Sequence, residues 1–250
     1  MVGQRAGPVS PAGNKVRELE MKREKPLAMR RGESVFCAGY LIFALVAGLR
    51  FAFAARHGAG ELASTLARMT LLLGCGDAFH LVPRILNNLA GAPKSKRKEN
   101  RWTFWLGLGN LISSITMTIF YVLLFDAMLQ LCAASGQAMP TSTGFVKGLI
   151  VGLAVVRVAL CLLPQNRWFD GGDQQWGIIR NIPFLAIGAI TVIYLLLWYS
   201  EWLLACLVVV SFACYMGVVL LARKNPMMGM LMIPKTICYI WMIALFLLRV

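Results

Sequence analysis

Seven long apolar stretches, separated by short polar breaks, set the pattern of the chain. They lie near residues 35 to 55, 62 to 84, 103 to 128, 145 to 164, 178 to 199, 202 to 222 and 228 to 248. Each approaches the roughly 20 residues that a helix needs to cross a bilayer core. The runs are continuous and do not alternate as barrel strands do, so the spacing predicts helices. The second has two registers: Arg68 sits inside it, and a span from about 69 to 90 would let that side chain reach outward. Between the runs lie His57-Gly58-Ala59-Gly60, Gly136 to Gly144 with Pro140, Asp170-Gly171-Gly172-Asp173 and Asn225-Pro226, all breaker-rich. No internal repeat or low-complexity tract is present. The expected fold is all-α and polytopic: a seven-helix transmembrane domain over residues 34 to 250, preceded by a basic tail over residues 1 to 33.

Composition supports this and excludes the main alternatives. Of 250 residues, 58% are apolar and 14% charged, and the mean hydropathy is +0.68. A water-soluble fold, a disordered chain and a disulfide scaffold are each incompatible with those values. The net charge of +14 is unevenly placed. Arg5, Lys15, Arg17, Lys22, Arg23, Lys25, Arg30 and Arg31 precede the first span, and Lys94, Lys96, Arg97, Lys98 and Arg101 fall between the second and third. Arg167, Arg223 and Lys224 continue on that side, whereas Arg50, Arg56, Lys147 and Arg249 are the few on the other. Cationic segments stay cytoplasmic, so the amino terminus is expected inside and the carboxyl terminus outside. Charge beside membrane spans serves orientation first. No base-stacking aromatic pattern accompanies it, and no nucleic-acid partner is expected. The expected partner is the bilayer, with anionic headgroups near Lys94, Lys96, Arg97, Lys98 and Arg101. Residues 1 to 33 carry Pro8, Pro11 and Pro26 without a sustained apolar face, which predicts a mobile tail. Ala52-Phe53-Ala54 resembles a cleavage site, yet the run ahead of it is long enough to span, so the first helix is read as retained.

The chain offers little familiar chemistry. Its seven cysteines are scattered and mostly inside spans, with no Cys-x-x-Cys pair, and they read as small packing residues. His57 and His80 are the only histidines, too few for the several-histidine sites of zinc-dependent seven-helix lipid hydrolases. No nucleophile elbow, phosphate loop or dinucleotide fingerprint appears. No metal or cofactor is expected, and the reading leans away from an enzyme.

The informative residues are the polar ones that spans carry despite their cost. The second run reads Gly74-Cys75-Gly76-Asp77-Ala78-Phe79-His80-Leu81-Val82-Pro83-Arg84. At about 100° per residue, Asp77, His80 and Arg84 fall within roughly 60° on one helix face. An ionised group at the bilayer centre costs on the order of 3 kcal/mol, so that face should turn toward partners, and Gly74 and Gly76 would admit a neighbouring backbone. Counting from the cytoplasmic end places Asn110, Arg157, Asn181 and Lys235 at a depth similar to Asp77, roughly 10 Å in. Tyr215 and Tyr239 add hydroxyls, and Pro183 and Pro234 each free a carbonyl one turn earlier. Two readings of this cluster stay open. In one, Asp77 is counter-ion to Lys235, Arg157 or both in a cytoplasm-facing cavity, with His80 exchanging a proton. In the other, Asp77, Arg84, Arg157 and Lys235 only form ion pairs that fix helix order. At the outer level, Arg68 and Asp126 are expected to pair structurally. The hydroxyl run Ser113-Ser114-Ile115-Thr116-Met117-Thr118 is expected to serve helix packing.

At Gly76 to Arg84, Ser113 to Thr118, Arg180-Asn181-Ile182-Pro183-Phe184 and Met232-Ile233-Pro234-Lys235-Thr236, the chain resembles a group of uncharacterised bacterial seven-helix integral membrane proteins. The resemblance spans about residues 35 to 249; it implies the architecture and a location in the cytoplasmic (plasma) membrane, and names no substrate. Three function classes follow, in order. A small-solute or ion transporter would use the polar cluster as its site, although seven helices lack the even pairing of an inverted repeat. A sensor or scaffold would bind a ligand there. Lys235 in the last span suits the retinal-bearing lysine of rhodopsins, but the rhodopsin motifs of helices three and seven are absent. An intramembrane lipid-acting enzyme would have only Asp77 with His80 as an acid–base pair.

Overall fold

In a computed structural model of the chain, residues 27–90, 96–136, 140–199, 201–222 and 225–249 are described. The side chains of residues 27, 90, 96–100 and 226 are not among those described. Eight α-helices follow in order among these residues, with no strand: α1 (Leu27–Arg56), α2 (Gly60–Ala90), α3 (Lys96–Ala134), α4 (Thr143–Leu162), α5 (Gln174–Ile179), α6 (Ile182–Leu197), α7 (Trp202–Leu221) and α8 (Met232–Leu247). Seven spans are long and apolar enough to cross a membrane, the fifth being built from α5 and α6 together. The protein is therefore a multi-pass, seven-helix membrane protein.

The helices form a closed ring in which each span touches the next, and α8 returns to α1. Each helix satisfies its backbone groups within itself, and the ring turns the apolar excess outward. Val35, Ile42, Val46, Leu49 and Phe53 of α1, spaced by one or two turns, are exposed along one such face. Inside, α3 also meets α6 and the turn at Trp168–Asp170, so it crosses the middle of the ring. There an aromatic layer fills the bundle. Phe184 packs on Tyr121 and Phe212 with ring centres 5.2 and 4.6 Å apart, and Phe120 meets Tyr239 at 5.4 Å. Tyr121 Oη and Ser211 Oγ lie 2.9 Å apart, which gives this layer a satisfied polar contact between α3 and α7.

Several boundaries differ from those the pattern predicts, each for a local reason. Helix α1 starts at Leu27, inside the segment read as a tail; Glu33 and Ser34 are buried there, Glu33 pairing with Arg84 and Ser34 donating to Arg30 O. Residues 1–26 lie outside the described residues, as does Lys94. Helix α2 covers both registers considered for it, continuing through Pro83 to Ala90. The fifth span breaks at Arg180 and Asn181, since Pro183 has no N–H to carry the helix through that turn. Before α8, the chain from Pro226 to Leu231 winds as a 3₁₀ helix, and Pro234 sits in the first turn of α8, where a missing N–H is tolerated. Arg68 does not pair with Asp126: its guanidinium turns back to Ser64 O and Thr65 Oγ1 on its own helix, and Asp126 pairs with Lys147 of α4.

Helices α2 and α3 approach closely enough that glycine is required between them. A Cβ on Gly109 would stand 2.5 Å from the Phe79 carbonyl oxygen and 2.7 Å from the Cα of His80, and backbone atoms cannot swing aside. Gly76 meets the side chain of Thr116 in the same seam. Gly109→Ala should therefore lower stability by about 1–3 kcal/mol. Gly148→Ala, whose Cβ meets nothing within 4 Å, should leave it unchanged or slightly raised. Thermal unfolding of the purified variants in one detergent checks this; equal melting temperatures would contradict the close α2–α3 seam.

Candidate functional site

Polar groups of all seven spans and of the connection between α4 and α5 collect around three adjoining cavities. The smallest, about 30 Å³, is lined by Glu33, Asp77, His80, Arg84 and Lys235 among others. The second, about 280 Å³, shares His80, Arg84, Met232 and Lys235 with it and adds Asn110, Ser113, Arg157, Arg180, Phe184 and Tyr215. The third, about 370 Å³, meets the second at Asn110, Trp168 and Arg180 and reaches the loop at Gly171 to Gln174. The first has room for one to a few waters, and the other two for a small molecule.

The sequence lays down this arrangement one turn at a time. Along α3, Asn110, Ser114 and Met117 line the second cavity, and the next turn delivers Phe120 and Tyr121 to the aromatic layer that closes it toward the membrane centre. Phe184 belongs to both, lining the cavity and stacking in the layer.

Asp77 is buried and fully occupied. Tyr40 Oη of α1 donates to its Oδ2 and Ser113 Oγ of α3 donates to its Oδ1, each at 2.8 Å. Its carboxylate thus ties α1, α2 and α3 together. The expected ion pair with Lys235 or Arg157 is not made: no carboxylate of the described residues stands at ion-pairing distance from either cation. The cause is azimuth, since Asp77 faces α1 and α3 and meets Lys235 only across the smallest cavity. His80 holds Nδ1 3.9 Å from Asp77 Oδ1, beyond hydrogen-bond reach, and that nitrogen is buried without a partner. Arg84 does have a counter-ion, Glu33 of α1 at 2.6 Å. Ser113 therefore does more than pack, whereas Ser114, Thr116 and Thr118 bond backbone carbonyls of their own helix.

Arg157 is 1% exposed and makes its contacts with neutral groups. Its guanidinium carbon lies 3.3 Å over the Phe184 ring, and Nη2 donates to Asn181 Oδ1 at 3.1 Å. Nε and Nη1 have no partner. Asn181 is held in turn by its Nδ2 donating to Gly177 O at 2.7 Å, and it accepts a second bond from Tyr215 Oη at 3.1 Å. Asn181 N bonds Ile178 O at the helix break, which leaves Gly177 O for the side chain. Lys235 is buried, with Nζ 4.9 Å from the Tyr215 ring and 5.2 Å from that of Tyr239. Tyr239 itself packs under the cavity against Phe120.

Four contributors escaped the reading of the sequence. Tyr40 sits in an unbroken apolar run, and Glu33 stands among the bases of an apparent tail. Arg180 and Trp168 flank a loop. The loop's construction explains them: after α4 ends, Asn166 Nδ2 donates to Leu160 O at 2.7 Å and to Leu163 O at 2.9 Å, and Trp168 Nε1 donates to Cys161 O at 2.8 Å. The orphan carbonyls at the helix end are thereby satisfied by side chains. Arg167 takes the left-handed φ of 48°, and Gly171 and Gly172 complete the reversal at 88° and 78°. Asn166 then presents Oδ1 to Arg180 Nη1 at 2.7 Å, and Trp168 lies under the Arg180 guanidinium at 4.0 Å. The Gly-Asp turn carries a legible signal, a helix cap: Asp173 accepts from Trp176 N at 3.0 Å.

Elsewhere, Arg101 is exposed, and the side chains of Lys96, Arg97 and Lys98 lie outside those described. All seven cysteines are free thiols. Among the described residues no group of three His, Cys, Asp or Glu is placed to hold a metal ion.

Two substitutions separate structural from non-structural charge. Tyr40→Phe withdraws a donor from a buried carboxylate and should cost about 1–3 kcal/mol. Lys235→Met replaces an unpaired buried ammonium by an apolar chain of similar length and should raise thermal stability. Melting temperatures in a common detergent decide it; a loss of stability in Lys235→Met would show that the lysine is held by an ion pair after all.

Comparison with protein-family models, with curated proteins and with solved structures returns no match, so the site has to be interpreted from its own chemistry.

Proposed function

We propose that the protein is a carrier for a small solute or ion, with the cavity beside Arg157, Lys235 and Tyr215 as its site. One observation supports this above all: ionisable side chains from separate spans surround about 280 Å³ of space inside the bundle, continuous with about 370 Å³ that leads to a surface loop. A scaffold has no use for unfilled space lined by costly charge, because apolar packing there would be more stable. The volume suits a small molecule or hydrated ion. The aromatic layer of Tyr121, Phe184 and Phe212 forms the barrier that a carrier must open on its other side. Proline and 3₁₀ interruptions at Pro183 and Pro226–Leu231 supply short segments that can shift against the long helices.

In this proposal the cavities face the cytoplasm across a bacterial cytoplasmic membrane, because the loops at that end hold most of the lysine and arginine. Anionic headgroups meet Arg101 and the basic stretch before it. Asp77 and His80, side by side on α2 between the two inner cavities, are the groups for proton exchange during the cycle.

The test is flux. Purified protein is placed in liposomes loaded with a small-molecule extract of the source cells, and the vesicle contents are followed by mass spectrometry. At least one solute should leave the protein-containing vesicles faster than empty ones, and Lys235→Met should slow that loss about tenfold or more. Vesicles that hold folded protein in both orientations and retain every solute would overturn the carrier reading.

A further inference from the structure

From the charge balance around the 280 Å³ cavity we infer that its ligand is an oxyanion of the phosphate type, held between Arg157, Arg180 and Lys235. The inference rests on the carrier reading for its biological use, but not for the binding itself.

Four cations line this space and no carboxylate does. Arg84 is neutralised by Glu33, outside the cavity wall. None of the other three has a carboxylate of the described residues at ion-pairing distance. Arg157 has Asn181 and the Phe184 ring, Arg180 has Asn166 and the Trp168 ring, and Lys235 has the rings of Tyr215 and Tyr239. Asp77 lines only the smallest cavity, and both its oxygens already accept bonds, from Tyr40 and Ser113; Asp173 lines only the outer one and caps the next helix at Trp176 N. A cationic ligand would meet like charge on every side. A neutral one would leave three cations uncompensated in a low-dielectric setting.

The shape of the donors narrows the class. Each guanidinium carbon sits over an aromatic ring and one Nη is tied to an asparagine oxygen, so the group is positioned before any ligand arrives. Nε and Nη1 of Arg157 and Nε of Arg180 are buried and without partners. On each planar fork the unused N–H groups point toward separate acceptors, which the several oxygens of an oxyanion can supply. A single carboxylate would occupy one fork and leave the second fork and the ammonium unmet. A tetrahedral phosphoryl group has enough oxygens and enough charge for all three. Its source is either free phosphate or the phosphate of a lipid headgroup, and either enters through the outer cavity past Gly107 and Gly172.

The experiment measures binding, which is independent of flux. The full chain is purified into nanodiscs of phosphatidylcholine, and retention of radiolabelled inorganic phosphate is measured, with choline as the cationic control. A second set of discs carries phosphatidic acid. Phosphate should bind saturably to the wild type and choline should not. Arg157→Gln, Arg180→Gln and Lys235→Met, each shown to be monodisperse, should each weaken binding by about tenfold or more. Arg157→Lys keeps the charge, loses the fork, and should fall between. If phosphatidic acid in the disc abolishes phosphate retention in the wild type, the lipid phosphate is the source; if retention persists, free phosphate is. A wild type that retains phosphate no better than choline and is not stabilised against heat by phosphatidic acid would overturn the inference, as would well-folded variants that bind like the wild type. Binding without flux in the liposome assay would sink the carrier reading alone; flux of a cation or neutral solute without phosphate binding would sink this one alone.

Discussion

A charged side chain inside a bilayer stays there only if the bundle supplies what water would have supplied, and everything distinctive in this molecule follows from how unevenly that is done. Asp77 is fully provided for, with a hydroxyl from each flanking helix on its two oxygens. Arg84 has Glu33. Arg157 and Arg180 are each given an aromatic face and an amide oxygen, and Lys235 two aromatic faces, but none has a carboxylate of the described residues at ion-pairing distance. The first group stabilises the packing of α1, α2 and α3. The second leaves a positively charged hollow among the remaining spans, and its incomplete solvation is the reason to regard it as a site.

Backbone interruptions make that hollow. An unbroken fifth helix would bury Gly177 O in its own ladder, and Asn181 would have no carbonyl to anchor against. At the break Asn181 N bonds Ile178 O instead, its side chain turns to Gly177, and its oxygen is left to orient both Arg157 and Tyr215. The loop after α4 works similarly. Asn166 closes the helix end with one side of its amide and positions Arg180 with the other. In both places an asparagine converts a helix terminus into a support for an arginine, so local chain chemistry and electrostatics are set by the same residue.

The seven spans were legible because span length is a direct consequence of hydrocarbon thickness, which leaves a run of about 20 apolar residues. The convergence of Asp77, Asn110, Arg157, Asn181, Tyr215 and Lys235 at one level was approachable by counting rise per residue. Depth, however, carries no information on azimuth. Which neighbour Asp77 faces depends on the α2–α3 seam, and that seam is set by Gly109 against the backbone of Phe79 and His80, a contact between distant positions. The pairing of Asp77 with Tyr40 and Ser113, of Arg84 with Glu33 and of Asp126 with Lys147 was therefore out of reach of periodicity. Glu33 was hidden by its basic neighbours, and Arg180 and Trp168 by a loop whose fold depends on capping α4.

The central claim is that water and an electropositive field reach Asn110 and Tyr215 inside the bundle. It is tested most directly by replacing the seven native cysteines, introducing a single cysteine at Asn110, Tyr215 or the lipid-facing Gly152, and measuring thiol modification by small anionic and cationic methanethiosulfonates in sealed vesicles of known orientation. Cysteines at 110 and 215 should react from the arginine-rich side only, faster with the anionic reagent than with the cationic one, while the cysteine at 152 stays unmodified. Silence at 110 and 215, or a preference for the cationic reagent, would contradict an open, positively charged cavity.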